Sequence, residues 1–266
     1  VQFTADLINP SLPEDLIKKK VNETRSCLDK YGVEVTSSFT GAFTRLNNLT
    51  HPDEDFRKYY LEWFKRFADI SADLGCRHLG SHFAILTQED LEDADRRNFL
   101  RRQAVQSWHE IASHAKTRGI EEIYWAPMSI SREFGETIEE AINLNNELNQ
   151  NSPLPFSMCL DVDHGDLESS NPDDIDPYAW INNCKDGFDM IHLKQSYANK
   201  GGHWPFIDEH NQKGNIIPSK ILDAIKQTTP RDMQLVLELS FKERQPADRL
   251  AAEHVKESVN FWQNSL

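Results

Sequence analysis

Residues 158–165 read MCLDVDHG. The apolar run, which starts at Phe156, ends on the carboxylate of Asp161, and His164 follows three residues later. A short continuous apolar run closed by polar residues and glycine reads as a strand buried on both faces of a parallel sheet. Two later runs have the same form: IHLKQS at 191–196 carries His192, and LVLELS at 235–240 carries Glu238. A fourth, EIYWAPMS at 122–129, stops at Pro127 after a bare alanine, Ala126. Three strand ends carry groups that can ligate a metal, and the fourth carries a methyl group.

Working outward, these runs alternate with amphipathic stretches. Phe56, Tyr60, Trp63, Phe64, Phe67, Ile70 and Leu74 recur at three- and four-residue steps and form one apolar helical face. Val105, Trp108, Ile111, Ala112 and Ala115 do the same on a long helix that stops near Gly119. Further helices are predicted over 13–31, 135–148, 176–184, 218–227 and 246–261. Pro13 opens the first of these, Glu14 and Asp15 lie near its positive end, and Gly32 caps its far end. Strands are predicted over 1–5, 33–39, 78–83, 123–126, 156–161, 190–193 and 234–238.

This alternation implies parallel strands covered by helices, in a single α/β domain over 1–266. No GxGxxG follows a strand and no GxxxxGK[ST] occurs, so dinucleotide-binding and P-loop folds lose their main support. Polar and ionisable residues crowd at the C-terminal ends of the strands, where a (β/α)8 TIM barrel builds its active site. The count is seven strands rather than eight. The expectation is that the first βα unit, N-terminal to Val1, is absent from the sequence; the alternative is a short strand that the pattern does not reveal.

The chain has 266 residues and a formal net charge of -14. Such a chain repels phosphate backbones at long range, which argues against nucleic acid as a partner. Cys27, Cys76, Cys159 and Cys184 match no zinc or CxxC spacing and read as reduced, mostly buried thiols of a cytoplasmic protein. No apolar stretch reaches the roughly 18 residues of a membrane span. The N-terminal VQFTADLINP lacks the basic and apolar regions of a signal peptide. A homodimer or homotetramer is compatible with the sequence.

Asp161, His192 and Glu238 each end a separate apolar strand. Barrel strand ends converge, and carboxylate oxygen with imidazole nitrogen suits Mn²⁺, Mg²⁺, Co²⁺ or Zn²⁺. The alternative is a structural polar network. Three protein ligands suffice where water completes the shell, so Ala126 does not preclude a metal. His164 lies where a substrate hydroxyl could reach it, or is a loop histidine facing water; Asp163 reads as a turn residue or as a partner of a ligand. His82 ends the third strand and is expected to line the pocket.

Lys194 and Gln195 continue the strand of His192 and are candidates to bind the substrate. The stretch NKGGHWPF at 199–206, with Lys200, His203 and Trp204, reads as a glycine-bearing loop able to close over a sugar. Its alternative is a surface loop whose Trp204 and Phe206 pack on the barrel rim. Arg132, Lys242 and Arg244 are candidates to meet a phosphate or an oxyanion. Trp63, Trp108, Tyr60 and Phe67 fall at helical spacing and belong to the core.

YWAPMSISREFG at 124–135, CLDVDHG, IHLKQS and LVLELS, in this order and at these strand ends, resemble the xylose-isomerase-like TIM-barrel family. That family includes sugar isomerases, ketose 3-epimerases and the apurinic endonuclease IV branch, and the resemblance is nearest to the ketose or tetrulose-phosphate 3-epimerases. It implies a metal held by Glu, Asp, His and Glu at four strand ends. The last three fall on Asp161, His192 and Glu238, and the first falls on Ala126. His164 matches a histidine that contacts substrate in the epimerases, whose first and last glutamates also form a proton-transfer pair.

The implied function is a divalent-metal-dependent sugar or sugar-phosphate isomerase or epimerase. The expected reaction is 3-epimerisation of a short ketose phosphate such as erythrulose phosphate, by proton transfer through an enediolate. Aldose–ketose isomerisation is an alternative reaction. A metal-dependent nuclease is disfavoured by the net charge. Ala126 then reads as the place of a removed catalytic glutamate, in an inactivated form of the enzyme. Its natural alternatives are a divergent enzyme with another base and a non-catalytic sugar-binding barrel.

Overall fold

The structure, a computed structural model, describes residues 1–197, 200–228, 232–241 and 249–266, without the side chains of 200 and 201. The chain falls into two compact units, 1–135 with 140–158, and 136–139 with 159–266.

In the first unit, β1 (Gln2–Thr4) leads to α1 (Glu14–Tyr31), β2 (Ser37–Phe39), α2 (Glu54–Asp73) and β3 (His78–His82). The short α3 (Gln88–Glu92), the long α4 (Ala94–Thr117) and β4 (Glu122–Ala126) follow. Most of α5 (Ile138–Asn149) and the first half of β5 (Phe156–Asp161) complete this unit. All its strands pair in parallel, with Gln2 opposite Ser37, Ser37 opposite His78, His82 opposite Ala126 and Ile123 opposite Phe156.

In the second unit, the end of β5 is followed by α6 (Pro177–Cys184) and β6 (Phe188–Leu193). A hairpin of β7 (Gln195–Tyr197) and β8 (Lys200–Trp204) comes next, then α7 (Asp208–Asn211), α8 (Pro218–Ile225), β9 (Gln234–Leu237) and α9 (Ala251–Gln263). β6 pairs with β9 in parallel, Leu193 opposite Leu237. The Val162 amide, just past β5, donates to the His192 carbonyl.

The parallel sheet has the order β1-β2-β3-β4-β5-β6-β9. The class is α/β of the TIM-barrel type, with the seven alternating strands that the sequence predicts.

The reasons for these elements are local. Pro13 precedes α1, Glu14 and Asp15 occupy its first turn, and Gly32 takes a left-handed φ of 62° that lets its N–H reach the Asp29 carbonyl. The predicted helix over 135–148 begins three residues later than expected. Gly135 has a φ of 77°, outside the helical region, so the helix forms only from Ile138. The predicted strand over 33–39 pairs only from Ser37. The stretch 199–206 is not a loop throughout: Lys200–Trp204 is β8, antiparallel to β7. The strand of His192 also ends at Leu193, so Gln195 opens a new strand rather than continuing the old one.

The aromatic face of α2 packs in its later turns only, for Phe56 is exposed and Tyr60, expected in the core, is half-buried. Trp63, Phe64 and Phe67 are buried. The ring of Phe64 lies 5.0 Å from that of Trp108 on α4. The Trp108 indole N–H donates to the Phe83 carbonyl at 2.9 Å, which satisfies the one polar atom of a ring that is 1% exposed. His82, at the end of β3, is also buried. Burial first, and the charge of Arg45 second, push its pKa down to about 3, so the imidazole is neutral.

Two measurements check this packing. Trp108→Ala should cost about 3–5 kcal/mol in urea unfolding, since it removes a large buried ring and leaves a cavity; a loss under about 1 kcal/mol would contradict the burial. His82 links stability to pH. Below its ordinary pKa the unfolded chain takes up a proton that the folded chain refuses until about pH 3. Stability therefore falls with acid in that window, by about 1.4 kcal/mol per pH unit for this one group. His82→Leu should flatten the slope, and equal slopes would show that the imidazole is not held neutral.

Candidate metal centre

The second unit brings together three strand ends. Asp161 is the last residue of β5, His192 the penultimate residue of β6, and Glu238 directly follows β9. The Glu238 amide donates to the Leu193 carbonyl at 2.9 Å, which continues the β6–β9 ladder to the site. Asp161 and His192 are buried, while the Glu238 side chain is 41% exposed. One ligand atom from each of the three lies within 4.8 Å of the others. Two carboxylate oxygens and an imidazole nitrogen at that spacing fit a divalent ion of the hard or borderline kind.

Lys194 sits at the middle of this cluster and is fully buried. Its ammonium donates to Asp161 Oδ2 at 2.6 Å, to Glu238 Oε2 at 3.0 Å and to His203 Nε2 at 3.0 Å. An ammonium offers only donors, so Nε2 of His203 accepts and that ring carries its proton on Nδ1. The other Asp161 oxygen accepts the Asp163 backbone N–H at 2.9 Å. His164 Nε2 lies 3.6 Å from Asp161 Oδ2, and His192 Nδ1 lies 3.7 Å from Glu238 Oε2.

The electrostatics follow from these contacts. Burial pushes the His192 imidazole below its ordinary pKa, against the pull of the Glu238 and Asp161 carboxylates. The ring is therefore neutral, as a ligand must be. Burial alone would lower Lys194, but the charges of Asp161 and Glu238 outweigh it and raise the pKa. Burial would raise the Glu238 carboxyl; the ammonium of Lys194, bonded to its Oε2, overcomes this and holds it well below the usual range. Glu238 is thus a carboxylate.

The β7–β8 hairpin is fastened beside the cluster. Asp163 accepts from the Ser196 hydroxyl on β7 and, at 2.9 Å, from the Gly202 amide on β8. The His203 carbonyl accepts the Ser240 amide at 3.0 Å. Gln195 is buried, and its amide is satisfied within the protein. Its Nε2 donates to Asn211 Oδ1 and the Ile216 carbonyl, and its Oε1 accepts the Ser196 and Ile216 amides. It supports the base of the hairpin. Trp204 stacks on His210 at 4.9 Å, and the Tyr197 hydroxyl lies 2.6 Å from His210 Nδ1. Phe206 packs against Phe261 and Trp262 of α9.

Of the other residues singled out in the sequence, His82, Ala126 and Arg132 belong to the first unit. Ala126 is buried at the end of β4, opposite His82 in the register. Arg132 donates to the Leu86 carbonyl at 3.2 Å. The side chain of Lys200, and all of Lys242 and Arg244, lie outside the described residues. Asp163 is the partner of a ligand that one reading of the sequence expected, whereas the sequence placed Lys194 at the substrate and not on the ligands themselves. The spacing of His192 and Lys194 was the available signal, because alternate residues of an extended chain share a face.

Residues 1–264 match the family described as the xylose isomerase-like TIM barrel. The D-erythrulose 1-phosphate 3-epimerase of Brucella abortus (strain 2308) is 46% identical over 263 residues, which is 98% of this chain and 85% of that one. A solved Rhodospirillum rubrum protein superposes with a TM-score of 0.88 at 22% identity, over 99% of this chain and 88% of that one. The D-psicose 3-epimerase of Clostridium cellulolyticum gives 0.72 at 14%, over 100% and 88%. These two likenesses concern the fold. With the match over nearly its whole length, the chain belongs to the xylose isomerase-like TIM-barrel family.

Proposed function

We propose that the chain is a divalent-metal-dependent 3-epimerase of a short ketose phosphate of the erythrulose phosphate kind. The observation that carries the reading is the meeting of Asp161, His192 and Glu238 within 4.8 Å at three strand ends. It stands in a chain 46% identical to a D-erythrulose 1-phosphate 3-epimerase. Asp161, His192 and Glu238 would hold the ion, which when bound polarises the ketose carbonyl and acidifies the adjacent C–H.

The protein's own groups do the rest. Glu238, held ionised by Lys194, is the base that removes and returns a proton at C3 on one face. His192 stays neutral. The hairpin, tied by Asp163, places His203 beside Glu238 at 3.5 Å. Epimerisation needs a second acid–base group on the other face, and the family pattern puts a carboxylate at the position of Ala126. That position supports a second reading, in which one base shuttles a proton between C1 and C2 of a sugar. No helix of the described residues is long and apolar enough to cross a membrane, and Cys76, Cys159 and Cys184 are buried free thiols. We read the location as cytoplasmic and the partner as a small molecule.

Deuterium exchange tests this directly. In D2O with Mn²⁺ and erythrulose 1-phosphate, the substrate should gain deuterium at C3, and removing the ion with a chelator should stop it. Glu238→Gln should slow the exchange by about 10²–10⁴-fold. Exchange that is indifferent to both changes would sink the reading, and label at C1 of an unphosphorylated sugar would favour isomerisation. Ala126→Glu should raise the yield of epimerised product by a factor of similar order. No gain, with metal binding unchanged, would show that position 126 is not the place of a missing acid–base group.

A further inference from the structure

The ammonium of Lys194 uses all three of its donors inside the protein, on Asp161 Oδ2, Glu238 Oε2 and His203 Nε2. Two of those acceptors belong to residues of the metal centre. Asp161 Oδ1 also accepts the Asp163 amide, so an ion at Asp161 would share the carboxylate with that amide and with Lys194. Protein ligands bind a divalent ion at about 2.0–2.3 Å. An ion on Asp161 Oδ2 and Glu238 Oε2 would therefore stand within a few ångströms of an ammonium bonded to the same atoms. Two cations that close in a buried site repel strongly.

We propose, resting on the metal-centre reading above, that Lys194 is an internal counter-cation that sets the metal affinity of the site. For Asp161 and Glu238 to hold an ion, the ammonium of Lys194 would withdraw from them. Without an ion, Lys194 holds the two carboxylates facing each other, where otherwise their mutual repulsion would splay them. The same residue then couples the centre to the hairpin, because the third acceptor, His203, lies on β8. A merely structural lysine predicts the opposite outcome: its removal would disorder the ligands and weaken binding.

The test is a chelator-competition titration with Mn²⁺ at fixed pH and ionic strength, on the full chain and on Lys194→Met, Lys194→Arg and Asp161→Asn. Lys194→Met should bind Mn²⁺ about 10–100-fold more tightly than the unsubstituted chain, the range of an ordinary coupling between two sites. Its melting temperature should be lower without Mn²⁺ and recover on adding it. Lys194→Arg, which keeps the charge, should not tighten. If Lys194→Met does not fold without Mn²⁺, the neutral Lys194→Gln carries the same expectation. Equal or weaker binding by the neutral variants overturns the proposal while leaving the centre intact. If the unsubstituted chain fails to bind Mn²⁺, or Asp161→Asn does not weaken it, the metal centre itself is wrong.

Discussion

A charged ammonium with no exposure to water, clasped by two carboxylates from different strands, is the interaction on which the rest of the site turns. Burying the Asp161 carboxylate would be costly if it lacked a cation. Lys194 supplies one, and its third bond recruits His203. Asp163 extends the same network, offering its N–H to Asp161 and its carboxylate to both strands of the hairpin. The strand ends, the ion-binding groups and the hairpin are thereby one hydrogen-bonded unit, and a change at any of them is felt at the others.

Much of this was legible in the sequence because buried parallel strands read as continuous apolar runs. The runs ending at Asp161, His192 and Glu238 all prove to be strands, and the three side chains meet. The aromatic period of α2 was equally plain, since a helix repeats its buried face every three or four residues. The hairpin was not legible. β7 has three residues and β8 contains two glycines, so neither shows an alternating pattern. What fixes the pair is Asp163, more than thirty residues away in sequence. The same holds for Gln195, whose four side-chain hydrogen bonds go to Asn211, Ser196 and, twice, Ile216. Residues whose roles depend on distant partners look, in the sequence, like any exposed polar residue.

The family relationship and the geometry support each other in different ways. The likeness to solved structures at 14–22% identity speaks for the fold alone. The 46% identity to an erythrulose phosphate epimerase brings the chemistry within reach, and the cluster of Asp161, His192 and Glu238 gives that chemistry a place.

The most direct test of the central claim is anomalous diffraction from a crystal of the protein grown with Mn²⁺. The account predicts one strong peak with Asp161, His192 and Glu238 all within about 2.0–2.6 Å of it. A protein that shows no such peak, or one whose ion is bound by other residues while these three stay on Lys194 and on one another, would contradict it.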